Sequence, residues 1–192
     1  MARSNKSVFV TMGATNHSKD KREEYDFYAT DNIAAYLLLE KEDLNNVWEC
    51  ACGDGELAKV FKEKGVLGRA SDLVDRGYGE TGIDFFKCLN KWDGDIATNP
   101  PYHAAEEFVA HAMALVPEGR KVCMFLRLLF LESQGRARLF EEFPLKTLYV
   151  ARRRITTYKN NDRTLSKGGA VAFAWYVWEK GYTGDPIIKW IN

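Results

Sequence analysis

The sequence predicts an α/β fold: an open, mostly parallel seven-stranded sheet, helices on both faces, and an antiparallel hairpin at its carboxyl end. Three observations predict it. Short apolar runs alternate with stretches of helical spacing along most of the chain. One of these runs leads through a glycine turn directly into a helix. The last two apolar runs are separated by a short segment holding Gly181 and Gly184, which reads as a hairpin. Alternating strands and helices need crossover connections, and these place parallel strands between two helical layers.

The elements follow in order. Residues 1–24 are polar apart from Val8, Phe9 and Val10, and read as a flexible basic arm. Residues 25–192 form one domain, with no separate target-recognition domain expected at this length. Ile33, Tyr36, Leu37 and Glu40 fall on helical spacing after Thr30, which could cap them. Asn46–Cys50 is a short buried strand. Leu57, Val60 and Phe61 form a helical stripe that stops at Gly65. Strands are expected at Arg69–Leu73 and Asp95–Thr98, then a helix over Ala104–Leu115 and the strongly apolar run Val122–Leu131. Glu132–Phe143 reads as a helix ended by Pro144, and strands at Leu145–Ala151, Val171–Trp178 and Ile187–Ile191 close the chain.

Composition narrows the function. The chain has 192 residues, 46% hydrophobic and 28% charged, the proportions of an ordinary globule that folds without disulfide or metal staples. No apolar run reaches the ~18–20 residues of a membrane span, and the start lacks a secretory apolar stretch, so a cytoplasmic location without membrane association is expected. Cys50, Cys52, Cys88 and Cys123 contain no CxxC pair, which favours reduced thiols and no metal. Lys plus Arg and Asp plus Glu both number 27. That balance hides segregation: five basic residues up to Arg22 face only Asp20. Between residues 152 and 167, Arg152, Arg153, Arg154, Lys159, Arg163 and Lys167 face only Asp162. Basic clusters on an acidic body can form a phosphate-binding face.

The first motif is Val47-Trp48-Glu49-Cys50-Ala51-Cys52-Gly53-Asp54-Gly55-Glu56-Leu57: a strand, a tight glycine turn and a helix start. Glycine lets the backbone turn sharply and lets a ligand approach where a Cβ would collide. The pattern lacks a full GxGxxG, and Glu49 and Asp54 would repel phosphates. They suit a ligand bearing a cationic amino group instead. Asp72, with Leu73 beside it, ends the next strand, where an acidic residue typically accepts ribose hydroxyls. The plainer reading is a structural turn with a capping aspartate. Cys50 and Cys52 read as small apolar fillers around that turn.

The second motif is a strand, Asp95-Ile96-Ala97-Thr98, running straight into Asn99-Pro100-Pro101-Tyr102. Two prolines fix φ and remove two donors, leaving a stiff turn that displays carbonyls. The Asn99 carboxamide and the Pro100 carbonyl are convergent acceptors suited to the two hydrogens of a planar NH2 group. Tyr102 adds a ring able to stack on a base.

These motifs resemble those of the S-adenosylmethionine-dependent amino-methyltransferases, especially DNA adenine-N6 methyltransferases of the small phage and prophage type. Asn99–Tyr102 is similar to that family's catalytic motif and Glu49–Gly55 to its cofactor motif. Asp26–Thr30 looks like the cofactor-binding segment that precedes them. Asp31 and Cys50 stand where the family usually has proline. Gly82-Ile83-Asp84-Phe85 resembles the element that holds the cofactor's adenine. The resemblance implies a Rossmann-like methyltransferase fold with S-adenosylmethionine held by Thr30, Glu49, Cys50, Ala51, Gly53, Gly55, Asp72, Leu73, Asp84, Phe85 and Asn99. It implies methyl transfer to adenine N6 in DNA after base flipping, with Asn99, Pro100, Pro101 and Tyr102 at the reacting amine. Tyr158, among the basic residues Arg152–Arg154, Lys159, Arg163 and Lys167, is the candidate for the second face of the base. Alternatives are the same chemistry on an RNA base or a glutamine amide, a catalytically retired nucleic-acid-binding module, or a nicotinamide-dependent oxidoreductase.

Overall fold

A computed structural model describes residues 28–155, 157–159 and 171–192. The basic arm, the first half of the Asp26–Thr30 segment, Arg163 and Lys167 lie outside the described residues.

Among the described residues nine strands and four α-helices follow one another as β1 (Tyr28–Thr30), α1 (Ile33–Leu39), β2 (Val47–Glu49), α2 (Glu56–Glu63), β3 (Leu67–Ala70), β4 (Ile96–Thr98), α3 (Ala105–Leu115), β5 (Lys121–Arg127), α4 (Ala137–Glu142), β6 (Thr147–Ala151), β7 (Thr157–Lys159), β8 (Phe173–Glu179) and β9 (Ile187–Ile191). Seven strands form one sheet in the order β3-β2-β4-β5-β8-β6-β9, and β1 pairs with β7 in a separate two-stranded ribbon. Pairing is parallel except where β8 lies between β5 and β6. The antiparallel C-terminal hairpin is present, but β6 and β8 make it. Gly181 and Gly184 do not join neighbours, because β6 separates β8 from β9.

The two-residue period of the strands sorts the core into two layers. Trp48, Ile96, Val122, Met124, Leu126, Tyr176 and Trp178 face α3 and α4. Val47, Ala97, Cys123, Phe125, Trp175 and Val177 face α1 and α2. Every side chain of β4 and the middle five of β5 are buried, as expected of strands covered on both sides. At the amino end of β4, the Asp95 carboxylate accepts the backbone N–H of Asn45 and of Lys121, both at 2.7 Å, and so ties the start of three strands together.

Four boundaries differ from the periodicity. β3 is Leu67–Ala70 and not Arg69–Leu73, so Asp72 stands two residues past its end, where its side chain accepts the Val74 N–H. Thr30 is the last residue of β1 and not a helix cap; Asn32 occupies that position and the Asp31 side chain accepts the Ile33 N–H. The run Val122–Leu131 is strand only to Arg127, then a single 3₁₀ stretch over Leu128–Leu131. Much of the Glu132–Phe143 helix is absent: Gln134–Arg136 is 3₁₀ and α4 spans six residues. In each case side chains pin main-chain groups that a continuous helix or strand would have used. The Arg136 guanidinium, for example, donates to the carbonyls of Phe130 and Glu132 at 2.8 and 3.1 Å.

The topology creates one privileged crevice. From β2 the chain crosses to β3 on one side, then returns to β4 on the other. Strand order reverses there, so the connections leave β2 and β4 in opposite directions and open a cleft outside their carboxyl ends.

Candidate functional site

That cleft is a cavity of about 320 Å³. The turn after β2 forms one wall and the turn after β4 the other. Of the residues singled out from sequence, Thr30, Glu49, Cys50, Ala51, Gly53, Asp72, Leu73, Asp84, Phe85, Asn99, Pro100, Pro101 and Tyr102 line it.

Gly55 does not line the cavity. Its φ of +83° admits glycine, and a Cβ there would stand 2.3 Å from the Tyr78 ring. The glycine is needed for packing behind the turn, and the ligand-approach argument applies to Gly53 alone. Phe85 is 3% exposed; it stacks on Phe108 at 5.0 Å and meets Trp48 edge-on at 5.3 Å. The exposed ring in this wall belongs to its neighbour Phe86, which periodicity gave no reason to prefer.

The walls are acidic. Glu49, Asp54, Glu56, Asp72 and Asp84 line the cavity against one guanidinium, that of Arg76. Glu49 is 2% exposed, and its Oε2 has no hydrogen-bond partner among the described residues. Burial drives its carboxyl well above the ordinary glutamate range. The Ala58 N–H opposes that rise, and the charges of Asp72 and Asp54 reinforce it. Burial also raises Asp54, with Glu56 adding to the effect. One oxygen of Asp54, Oδ2, is likewise buried without a partner among the described residues. Asp72 is tied down: its two oxygens accept the N–H groups of Gly53 and Val74, each at 2.8 Å, which fixes the glycine turn. Each oxygen keeps a lone pair for a further donor. Asp84 caps a 3₁₀ turn through the Phe86 N–H at 3.1 Å and meets Lys87 at 3.2 Å.

Burial, and next the Glu49 charge, raises both turn thiols, Cys52 to about 12. They stay protonated and pack as small apolar groups. All four cysteines are free, and among the described residues no three His, Cys, Asp or Glu side chains group as a metal site.

On the opposite wall, the Asn99 carboxamide donates from Nδ2 to Thr30 Oγ at 2.7 Å. Thr30 is 4% exposed. The bond commits the amide nitrogen to β1 and leaves Oδ1 as the group's acceptor end. Sequence suggested Thr30 for the cofactor; it lines the cavity, and its hydroxyl oxygen also accepts from Asn99. Tyr102 begins a 3₁₀ turn beside it. The ring lies under the Arg127 guanidinium at 4.7 Å, an interaction worth about 0.5–2 kcal/mol, and beside Phe173 at 5.8 Å. His103, given no role from sequence, lines the cavity too.

The basic group divides. Arg152, Arg153 and Arg154 are exposed directly after β6. Because β6 runs parallel to β4, they stand at the same sheet edge as the cavity, three strand spacings or roughly 15 Å along it. β7 brings Tyr158 and Lys159 back toward the cleft: its backbone pairs Tyr158 with Ala29 and Thr157 with Thr30.

No protein-family model matches the sequence, and no curated protein matches it. Solved structures do. A methyltransferase subunit of a type I restriction-modification system from Streptococcus thermophilus superposes with a TM-score of 0.62 at 14% identity, over 88% of this chain and 48% of that one. A protein assigned as an RNA methyltransferase from Pyrococcus horikoshii gives 0.57 at 14% identity, over 94% and 99%. A protein assigned as a class I S-adenosylmethionine-dependent methyltransferase from Listeria monocytogenes gives 0.54 at 15% identity, over 82% and 62%. This chain therefore has the Rossmann-like fold of these proteins, and it spans only about half to two thirds of the Streptococcus and Listeria chains. Among the described residues no helix is long and apolar enough to cross a membrane.

Proposed function

We propose that this chain is an S-adenosylmethionine-dependent methyltransferase acting on the exocyclic N6 amine of adenine in DNA. One observation carries the reading: a single cleft joins an acid-lined glycine turn to an Asn-Pro-Pro-Tyr corner whose carboxamide is oriented by Thr30.

The residues fit the cofactor. Glu49 and Asp54, each with a buried oxygen lacking a partner, suit a ligand carrying an ammonium and a sulfonium. Asp72, Leu73, Asp84 and Phe86 line the same cavity and suit a nucleoside, the carboxylates its hydroxyl and amino donors. S-adenosylmethionine supplies an electrophilic methyl group. The chain supplies orientation. Asn99 Oδ1 and the Pro100 carbonyl accept the two amine hydrogens, which turns the nitrogen lone pair away from the ring. Tyr102 supports the flipped base. Alignment of this kind is worth roughly 7–11 kcal/mol at its limit. As the N–CH3 bond forms, the S–CH3 bond would break, leaving a neutral thioether. No general base is needed beforehand, because the amine proton becomes acidic only after nitrogen has gained the methyl, and it then passes to water.

DNA is favoured over RNA and protein by the Asn-Pro-Pro-Tyr resemblance and by the arginines at the same sheet edge. The test is incubation with tritiated S-adenosylmethionine and DNA, RNA or protein, followed by identification of the labelled residue. Label at adenine N6 in DNA is expected. Asn99→Ala should lower turnover at least 1,000-fold (about 4 kcal/mol) while calorimetry shows little change in cofactor affinity. Labelled glutamine or an RNA base would overturn the substrate; equal loss of cofactor affinity would remove Asn99 from the amine site.

A further inference from the structure

Arg127 ends β5, the strand next to β4, and so stands beside the Asn99–Tyr102 corner. Its main chain is held: the Tyr176 hydroxyl contacts the carbonyls of Arg127 and Leu128, each at 3.1 Å. Its side chain is half-buried and held far less. The guanidinium carbon lies 4.7 Å from the centre of the Tyr102 ring. Among the described residues its buried Nε has no hydrogen-bond partner and no carboxylate pairs with the group. An always-charged donor with an unused buried N–H is costly, and stacking on a ring recovers little of that cost. An apolar side chain would cover Tyr102 more cheaply. Phe173, whose ring also lies against Tyr102, is 7% exposed and stacked on Phe125 at 5.3 Å, so it cannot yield. The guanidinium can.

We propose that Arg127 is a substrate-binding residue that exchanges a ring for a phosphate. In the free protein its planar guanidinium lies on Tyr102. When a target base stacks on that ring, the guanidinium moves to the phosphodiester beside the base, where Nε and the terminal N–H groups gain charged acceptors. The inference rests on Tyr102 as the base platform and deepens that reading. It couples arrival of the base to capture of the backbone, so a polynucleotide is the substrate and a free nucleoside, which offers the displaced cation nothing, is not.

The first readout, binding, needs no cofactor; the second, methyl transfer, is run with S-adenosylmethionine. Binding of a fluorescent adenine-containing oligonucleotide is measured across a salt series for wild type, Arg127→Met and Arg127→Lys, with thermal melts confirming that all three fold. In Arg127→Met the slope of log K against log salt should fall by one contact, about 0.7 for a single strand or 0.9 for a duplex. Arg127→Lys should restore the slope, since a phosphate needs charge and not a plane. In the methyl-transfer assay, Arg127→Met should raise KM for the oligonucleotide about tenfold and leave kcat within threefold. An unchanged slope and KM in Arg127→Met, with a wild type that methylates the oligonucleotide, overturns this proposal alone. A wild type that neither binds nor methylates it overturns the functional reading as well.

Discussion

Two buried carboxylates on neighbouring parts of the same sheet have opposite fates. Asp95 stands before the amino end of β4 and Glu49 at the carboxyl end of β2; they are 4% and 2% exposed. Asp95 has a backbone N–H on each oxygen at 2.7 Å. Glu49 has an oxygen with no partner and two carboxylates, Asp72 and Asp54, close enough to raise it further. Burial alone therefore does not separate structure from function. A buried carboxylate whose bonds are complete holds the fold, and one whose bonds are incomplete is a candidate for binding a ligand. The amino edge of this sheet is finished, and the carboxyl edge is not.

The comparison breaks most visibly at Asp95. Asp95→Ala strands the N–H groups of Asn45 and Lys121 and should cost about 2–5 kcal/mol, read as a lower urea midpoint. Cofactor affinity per folded molecule should be unchanged. A variant of normal stability would mean that water satisfies those donors and that the contrast with Glu49 is not one of bonding.

Glu49→Gln should do the reverse. Affinity for S-adenosylmethionine should fall about 10–100-fold (1.4–2.7 kcal/mol), while the unliganded fold holds or gains stability. The pH dependence follows from the raised carboxyl. The folded state favours the protonated form, so this contribution to stability is complete below the ordinary glutamate range. It is lost as pH rises from there through the raised value. A cationic ligand favours the ionised form, so binding should tighten and release a proton across that same interval. Calorimetry in buffers of different ionisation enthalpy reads the proton directly. Glu49→Gln should abolish both trends, and their survival would assign them to Asp54.

How far the sequence carries is uneven in the same way. Strand–turn–helix around Gly53, the proline corner after β4 and the alternation behind both layers are local patterns, and all were legible. Placement of β8 between β5 and β6 was not, because pairing partners are set by contacts far apart in sequence. Glycines at 53 and 55 look equivalent in the motif, yet Tyr78, 23 residues beyond Gly55, decides that Gly55 serves packing. Arg127 read as part of an apolar run because its contact with Tyr102 is purely tertiary. The two local motifs could expose most residues that reach the cleft, but not which of its polar groups were already spoken for.

Thr30 is the smallest and most discriminating case, since it lies between the two kinds of group. Its hydroxyl is buried like a structural one, but the bond it accepts comes from Asn99. If that bond holds the carboxamide with Oδ1 toward the amine, Thr30→Val keeps the shape and removes the anchor. The amide can then rotate and present Nδ2, a donor, where an acceptor is needed. A single hydrogen bond of this kind is worth about 0.5–1.5 kcal/mol, so kcat should fall roughly 3–10-fold. Cofactor affinity should hold, because the cofactor does not need the hydroxyl in this arrangement. Thr30→Ser should recover kcat. β1 pairs with β7, so the basic segment after β6 is tied to this same residue by the register of Thr157 with Thr30. A loss of cofactor affinity in Thr30→Val as large as the loss in kcat would instead return Thr30 to the cofactor wall, where its sequence context first suggested it.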